Sequence, residues 1–205
     1  MIRRVLLGIG GLGLVILASI IALTTNSSGG LSEVEDDIRT RYSDVSHLSP
    51  RAVASWTRDV GASIGRRPDV LLVDVRDPGE FAVSRIGGAL RIDPGVKPSA
   101  VADILGDVRG KTIVFYCSVG ERSSSMAQRV QRFLTDRGAI AVHNLSGGIF
   151  RWHNEQRQLH NAEGATDYVH PYNTVWGQYV IRQDAVRYTP RPTTAPATRV
   201  PLNPS

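Results

Sequence analysis

Cysteine is all but absent from this chain: among 205 residues there is one, Cys117. A single cysteine excludes an internal disulfide and a cysteine-rich zinc site. It leaves three roles open, namely a free thiol, a packing residue or a nucleophile, and free cysteine is among the most buried residue types. Paired metal-ligand spacing is absent too, since His47, His143, His153, His160 and His170 form no H-E-x-x-H pattern. No metal and no cofactor is therefore expected. The middle of the chain also lacks an excess of either charge. Arg3, Arg4, Arg182, Arg187, Arg191 and Arg199 lie outside residues 31–181, against one acid there, Asp184, and they account for the whole net charge of +5. A neutral middle with basic ends has no electrostatic stripe for a phosphate backbone, so nucleic acid is not an expected partner.

What is present begins with a long apolar run. Val5 to Leu23 carries no charge and is rich in Leu, Ile, Val, Gly and Ala. As a helix it would span about 28 Å at ~1.5 Å per residue, close to the hydrocarbon thickness of a bilayer. Arg3 and Arg4 precede it, and Glu33, Glu35, Asp36 and Asp37 follow. That charge order predicts a single-pass membrane anchor with its N-terminus in the cytoplasm and the remainder outside. A cleaved signal peptide is the competing reading, although the run is longer than an ordinary signal core and no clean A-x-A site follows it. GIGGLG at residues 8–13 lies inside this run and is not read as a dinucleotide loop. Residues 1–30 are thus expected to be anchor and linker, with TTNSSGG as the flexible part. Residues 31–160 are expected to form the main domain and 161–188 an aromatic-rich extension. From Thr189 the Pro- and Thr-rich sequence predicts a disordered tail.

Within the main domain, strand and helix patterns alternate. Leu71–Val75 is a short apolar run typical of a strand buried on both faces, and Thr112–Tyr116 (TIVFY) is β-branched and aromatic. Ala89–Ile92 and Ala141–Leu145 are further candidate strands. Ser49-Pro50 opens a helix running through Trp56. Ser123–Arg137 carries Met126, Val130, Phe133 and Leu134 along one helical face, with Gly138 as its stop. The pattern predicts an α/β fold with a parallel sheet flanked by helices.

Cys117 follows the TIVFY strand directly, at the strand end where open α/β sheets bind ligands. The glycine-containing loop Ser118-Val119-Gly120-Glu121-Arg122 can turn backbone N–H groups inward as an anion nest, and the next helix adds the positive end of its dipole. Such surroundings favour a thiolate, the form that nucleophilic catalysis needs. Position thus turns the lone cysteine into a candidate nucleophile.

Residues 117–123, CSVGERS, resemble the active-site loop of single-domain rhodaneses. Leu72–Leu90, LVDVRDPGEFAVSRIGGAL, is similar to that family's Asp-x-Arg, Glu-Phe and Ile-x-Gly-Ala signature, and Asn144–Trp152, NLSGGIFRW, resembles its late glycine-pair motif. SHLSPRAVASW is compatible with the family's first strand and helix. The resemblance implies a rhodanese-like fold and a sulfurtransferase that moves sulfane sulfur from a small donor to a thiol or cyanide acceptor. Cys117 would be the catalytic, persulfide-bearing residue. Ser118, Val119, Gly120, Glu121, Arg122 and Ser123 would hold the substrate, with Arg122 the side chain nearest the anion. Asp74 and Arg76 would tie the strand end to its surroundings.

Two departures stand out. Arg85 occupies a position where the family usually has His, and Glu121 places a carboxylate inside the loop, which disfavours oxyanions unless it points outward or pairs with Arg122. Two other functions compete. A cysteine phosphatase also closes an oxyanion loop with arginine, but Cys117 and Arg122 stand one residue closer than in such loops. A non-catalytic module docking a membrane partner is the second alternative. The dense aromatics of residues 168–180, YVHPYNTVWGQYV, are expected to pack back onto the domain rather than dock a partner protein.

Overall fold

The computed structural model describes residues 30–57 and 69–190. The expected membrane anchor over Val5–Leu23 and most of the expected tail lie outside them. Among the described residues no helix is long and apolar enough to cross a membrane.

In chain order the elements are α1 (Leu31–Arg41), β1 (Ser46–Leu48), α2 (Pro50–Thr57), β2 (Asp69–Asp74), α3 (Pro78–Val83), β3 (Leu90–Arg91), α4 (Pro98–Leu105), β4 (Lys111–Tyr116), α5 (Glu121–Thr135), β5 (Ala141–Leu145) and α6 (Gly148–Asn154). The hairpin β6 (Leu159–Asn161) and β7 (Gly164–Thr166) follows, then the short α7 (Thr174–Gly177). The first five strands form one parallel sheet in the order β1-β5-β4-β2-β3.

Strand periodicity explains how the sheet is covered. In β4, Ile113 and Phe115 point to one face and Val114 and Tyr116 to the other, because successive side chains alternate. The first face packs on Val101 and Leu105 of α4 and on Met126, Val130 and Leu134 of α5. The second packs on Ile38 of α1, Val53 of α2, and Ile149, Phe150 and Trp152 of α6. Each fully buried side chain of this kind stabilises the fold by about 1.5–3 kcal/mol. The same alternation sends Cys117 to the α5 face.

Because the sheet is parallel, the carboxyl ends of β2, β4 and β5 lie on one side. Register pairs Asp74 with Tyr116 and Phe115 with Asn144, so the segments after these residues emerge side by side. Arg76 is wholly buried, and its Nε and Nη2 grip the Asp74 carboxylate at 2.9 and 2.7 Å. Nη2 also donates to the Ser84 carbonyl at 2.6 Å, which ties the β2 end to the end of α3. Arg85 lies over the Phe81 ring and donates to the Asn161 carbonyl, so this departure binds the hairpin to α3. Trp152 is buried, with its indole N–H on the Gln158 carbonyl at 3.0 Å.

Burial holds His47, His143, His153 and His170 below the ordinary imidazole value of 6.5. The folded chain thus binds these protons less tightly than the unfolded chain, and stability is lost as they are forced on. Stability should be fully present above pH 6.5 and decline as pH falls below it. Thermal melts between about pH 8 and about pH 5 read this directly, and a midpoint that stays level across that interval contradicts it.

Candidate active site

The loop from Cys117 to Gly120 is shorter than its sequence suggests. Gly120 takes φ +111°, a left-handed conformation that suits glycine, and caps α5, so Glu121 and Arg122 already belong to the helix. The helix thus starts two residues before the expected Ser123, and the amides of Ser118 to Arg122 belong to a tight turn followed by a helical first turn. Within it the Gly120 amide donates to Cys117 Sγ at 3.2 Å. The sulfur belongs to a residue only 1% exposed, but it sits at the amino end of a 15-residue helix with an amide aimed at it.

The turn is clamped from behind by α6. Ile149 N–H donates to the Cys117 carbonyl at 2.8 Å and Phe150 N–H to the Ser118 carbonyl at 3.0 Å. Gly148, at φ +54°, makes the close approach possible, because a Cβ there would press into both carbonyls. Gly148→Ala should accordingly cost at least about 2 kcal/mol of stability through backbone strain and a clash that only the turn can relieve. Denaturant midpoints measure it, and a cost below about 0.5 kcal/mol contradicts this account.

Glu80 of α3 is the electrostatic hub, and it is 2% exposed. Oε1 accepts from the Ser118 hydroxyl and from Arg122 Nη2, both at 3.0 Å. Oε2 accepts from Arg122 Nη1 at 2.9 Å and from the Asp77 amide at 3.1 Å. Burial pushes the Glu80 carboxyl up, but the hydrogen bonds and charge of Arg122, with Arg76, outweigh it and hold the group below its usual range. Burial likewise works against the Arg122 cation, but its hydrogen bond to Glu80 and the negative charges of Glu80 and Asp77 outweigh that, leaving it raised. Asp77 adds a second carboxylate 3.8 Å from Nη1.

These contacts revise several expectations. Arg122 is bound edge-on by Glu80 and Ser118 rather than held free for an anion. Glu121 turns outward to Arg41 and Tyr42, each at 2.9 Å, so it is no obstacle inside the turn. The Val119 side chain packs into the core and the Ser123 hydroxyl goes to Asn144 Oδ1 at 2.6 Å, which bears on their side chains and not on the main-chain amides expected to hold a substrate. Three participants were not recognised from sequence. Glu80 stands in the quoted motif, and its spacing from Asp77 matches a helix capping box, which signals a helix start but not a partner on another element. Asn144 bridges Ser123 and His47 from within β5. Tyr172 places its ring 4.6 Å from the Arg122 guanidinium carbon, and only aromatic density marked its region in the sequence.

Comparison with known proteins places this geometry. The model of the rhodanese-like domain matches residues 59–155. A sulfurtransferase of Allochromatium vinosum is 37% identical over 84 residues, which covers 41% of this chain and 72% of that protein. A tRNA uridine(34) hydroxylase of Prochlorococcus marinus is 35% identical over 100 residues, covering 44% of this chain but 30% of that protein. Another, from Bordetella avium, is 28% identical over 121 residues, covering 58% and 48%. The chain thus spans less than half the length of these two hydroxylases. A solved thiosulfate sulfurtransferase of Pseudomonas aeruginosa superposes with a TM-score of 0.49 at 16% identity, covering 62% of this chain and 22% of that one. With a sulfurtransferase matched over most of its length and the domain model spanning the sheet's β2-to-α6 core, the chain belongs to the rhodanese-like domain family.

Proposed function

We propose that this protein is a sulfurtransferase that carries sulfane sulfur on Cys117. The observation that carries the reading is the Gly120 amide aimed at the sulfur, at the amino end of α5. An amide and a helix dipole both favour the thiolate over the thiol, and both favour the negatively charged persulfide that would replace it. In the first step the Cys117 thiolate attacks the outer sulfur of a donor. The donor's S–S bond breaks, and the donor leaves as a thiolate, or as sulfite when the donor is thiosulfate. In the second step an acceptor thiolate or cyanide attacks the outer sulfur of the persulfide and releases the Cys117 thiolate. Each step forms one bond to the transferred sulfur and breaks one, so no external oxidant or reductant is needed.

The pairing of Arg122 with Glu80 favours this chemistry over a phosphatase, in which the arginine must face the transferred group. An intact nucleophile turn likewise favours an enzyme over a docking module. The charge order around Val5–Leu23 supports an anchored domain outside the cytoplasm, where a thiol acceptor would also regenerate the cysteine. The test is to treat the purified full-length chain with thiosulfate and with a low-molecular-weight persulfide, then to weigh it intact. A gain of one sulfur atom that cyanide removes is expected, and no gain from either donor refutes the proposal.

A further inference from the structure

Residues 168–188 form a strap that returns to the active-site turn. Its base is fixed: Val169 pairs with Val186, Val169 and Val180 are buried, and Asn154 of α6 binds both the Tyr179 carbonyl and the Ile181 amide. From that base the tip reaches Arg122 through Tyr172. Tyr172 holds φ +65°, a left-handed backbone that a non-glycine residue adopts only under strain. The strain is held by local bonds, with His170 Nδ1 accepting from the Tyr172 amide at 3.0 Å and Asn173 capping α7. Core burial does not offset it, since Tyr172 remains 42% exposed. The ring's partner is the face of the Arg122 guanidinium, whose edge is already taken by Glu80 and Ser118. The cation of the turn thus has both Nη groups on Glu80 and Ser118 and the Tyr172 ring against its guanidinium carbon, and it is flanked by two carboxylates, Glu80 and Asp77.

We propose that Tyr172 is a lid residue that selects the sulfur donor: seated on Arg122, it screens Cys117 from small oxyanions and leaves the site to low-charge persulfides. The donor preference rests on the sulfur-transfer reading, but the lid itself does not. A doubly charged oxyanion approaching the turn meets, among the described residues, a guanidinium already paired, two carboxylates and the negative face of an aromatic ring. With the ring gone, one face of Arg122 opens to it.

The test uses the full-length chain with Tyr172→Gly and Tyr172→Asn, two residues that suit a left-handed backbone and remove the ring, and Tyr172→Phe, which keeps it. Alkylation of Cys117 by iodoacetate, an anion, is compared with alkylation by neutral iodoacetamide. Removing the ring should raise the iodoacetate rate by about tenfold, the scale of one cation–π contact, and the iodoacetamide rate by less. Tyr172→Phe should match the unmodified chain. Loading from thiosulfate should rise with the iodoacetate rate, through KM rather than kcat. Alkylation rates unchanged in both Gly and Asn variants overturn the lid, and faster alkylation without faster thiosulfate loading overturns donor selection. Faster alkylation with no sulfur loading from any donor leaves the lid standing and removes the enzyme reading beneath it.

Discussion

Cys117→Ser is expected to end sulfur loading altogether while leaving the fold in place. The chain has no second cysteine on which a persulfide could form. A serine hydroxyl at the same position is not ionised near neutral pH and holds no sulfane sulfur, so the loss should be at least about a thousandfold. The fold should tolerate the change. Serine keeps the acceptor for the Gly120 amide, and the clamp on the turn runs through the Cys117 and Ser118 carbonyls, which are main-chain atoms. The cost is one hydroxyl placed in the apolar cluster between the sheet and α5, about 1–2 kcal/mol. Intact mass and a melting curve on the same sample separate the two effects. Sulfur retained by the variant would place the reactive group elsewhere. A melting collapse would show that the thiol is chiefly a packing residue.

Glu80→Gln should injure both stability and activity. The carboxylate carries four hydrogen bonds, and the amide that replaces it can accept on one atom only, turning a donor toward Arg122 or toward the Ser118 hydroxyl. Removing one partner of a fully buried ion pair costs about 3–5 kcal/mol. Arg122 keeps 24% of its side chain exposed and retains Asp77 nearby, so about 2–3 kcal/mol is expected here. Sulfur loading should slow by about tenfold to a hundredfold as the turn loses its anchor on α3. Denaturant titration and loading rates measure the two effects. The exposed Asp107–Arg109 pair offers the contrast, since Asp107→Asn should change neither. If the two variants behave alike, Glu80 is not the hub of this site.

The long central elements were legible in the sequence because one physical signal dominated each. TIVFY is β-branched and aromatic and reads as a strand, β5 matches Ala141–Leu145 residue for residue, and the Met126-Val130-Leu134 stripe fixed the body of α5. The start of α5 was missed by two residues because Gly120 caps it in a left-handed conformation, a choice made by the turn as a whole. Helices α1, α3 and α4 were not anticipated: α3 and α4 are too short for a helical stripe to stand out, and α1 buries only Leu31 and Ile38. The placement of Cys117 at a strand end was readable from local order alone. The partner of Arg122 was not, because Glu80 lies 42 residues away and meets it only through the parallel pairing of β2 with β4. Tyr172 was invisible for the same reason, since nothing local marks which surface an aromatic strap will reach.

The two outer strands of the sheet carry one more consequence. β1 has three residues and β3 has two, so either margin offers an incoming chain only a few main-chain bonds. Under the sulfur-transfer proposal, a protein that handed sulfur to this domain would gain little by extending the sheet. Its recognition would then have to come from side chains gathered around the rim where β2, β4 and β5 end, beside the Cys117 sulfur proposed to take the cargo.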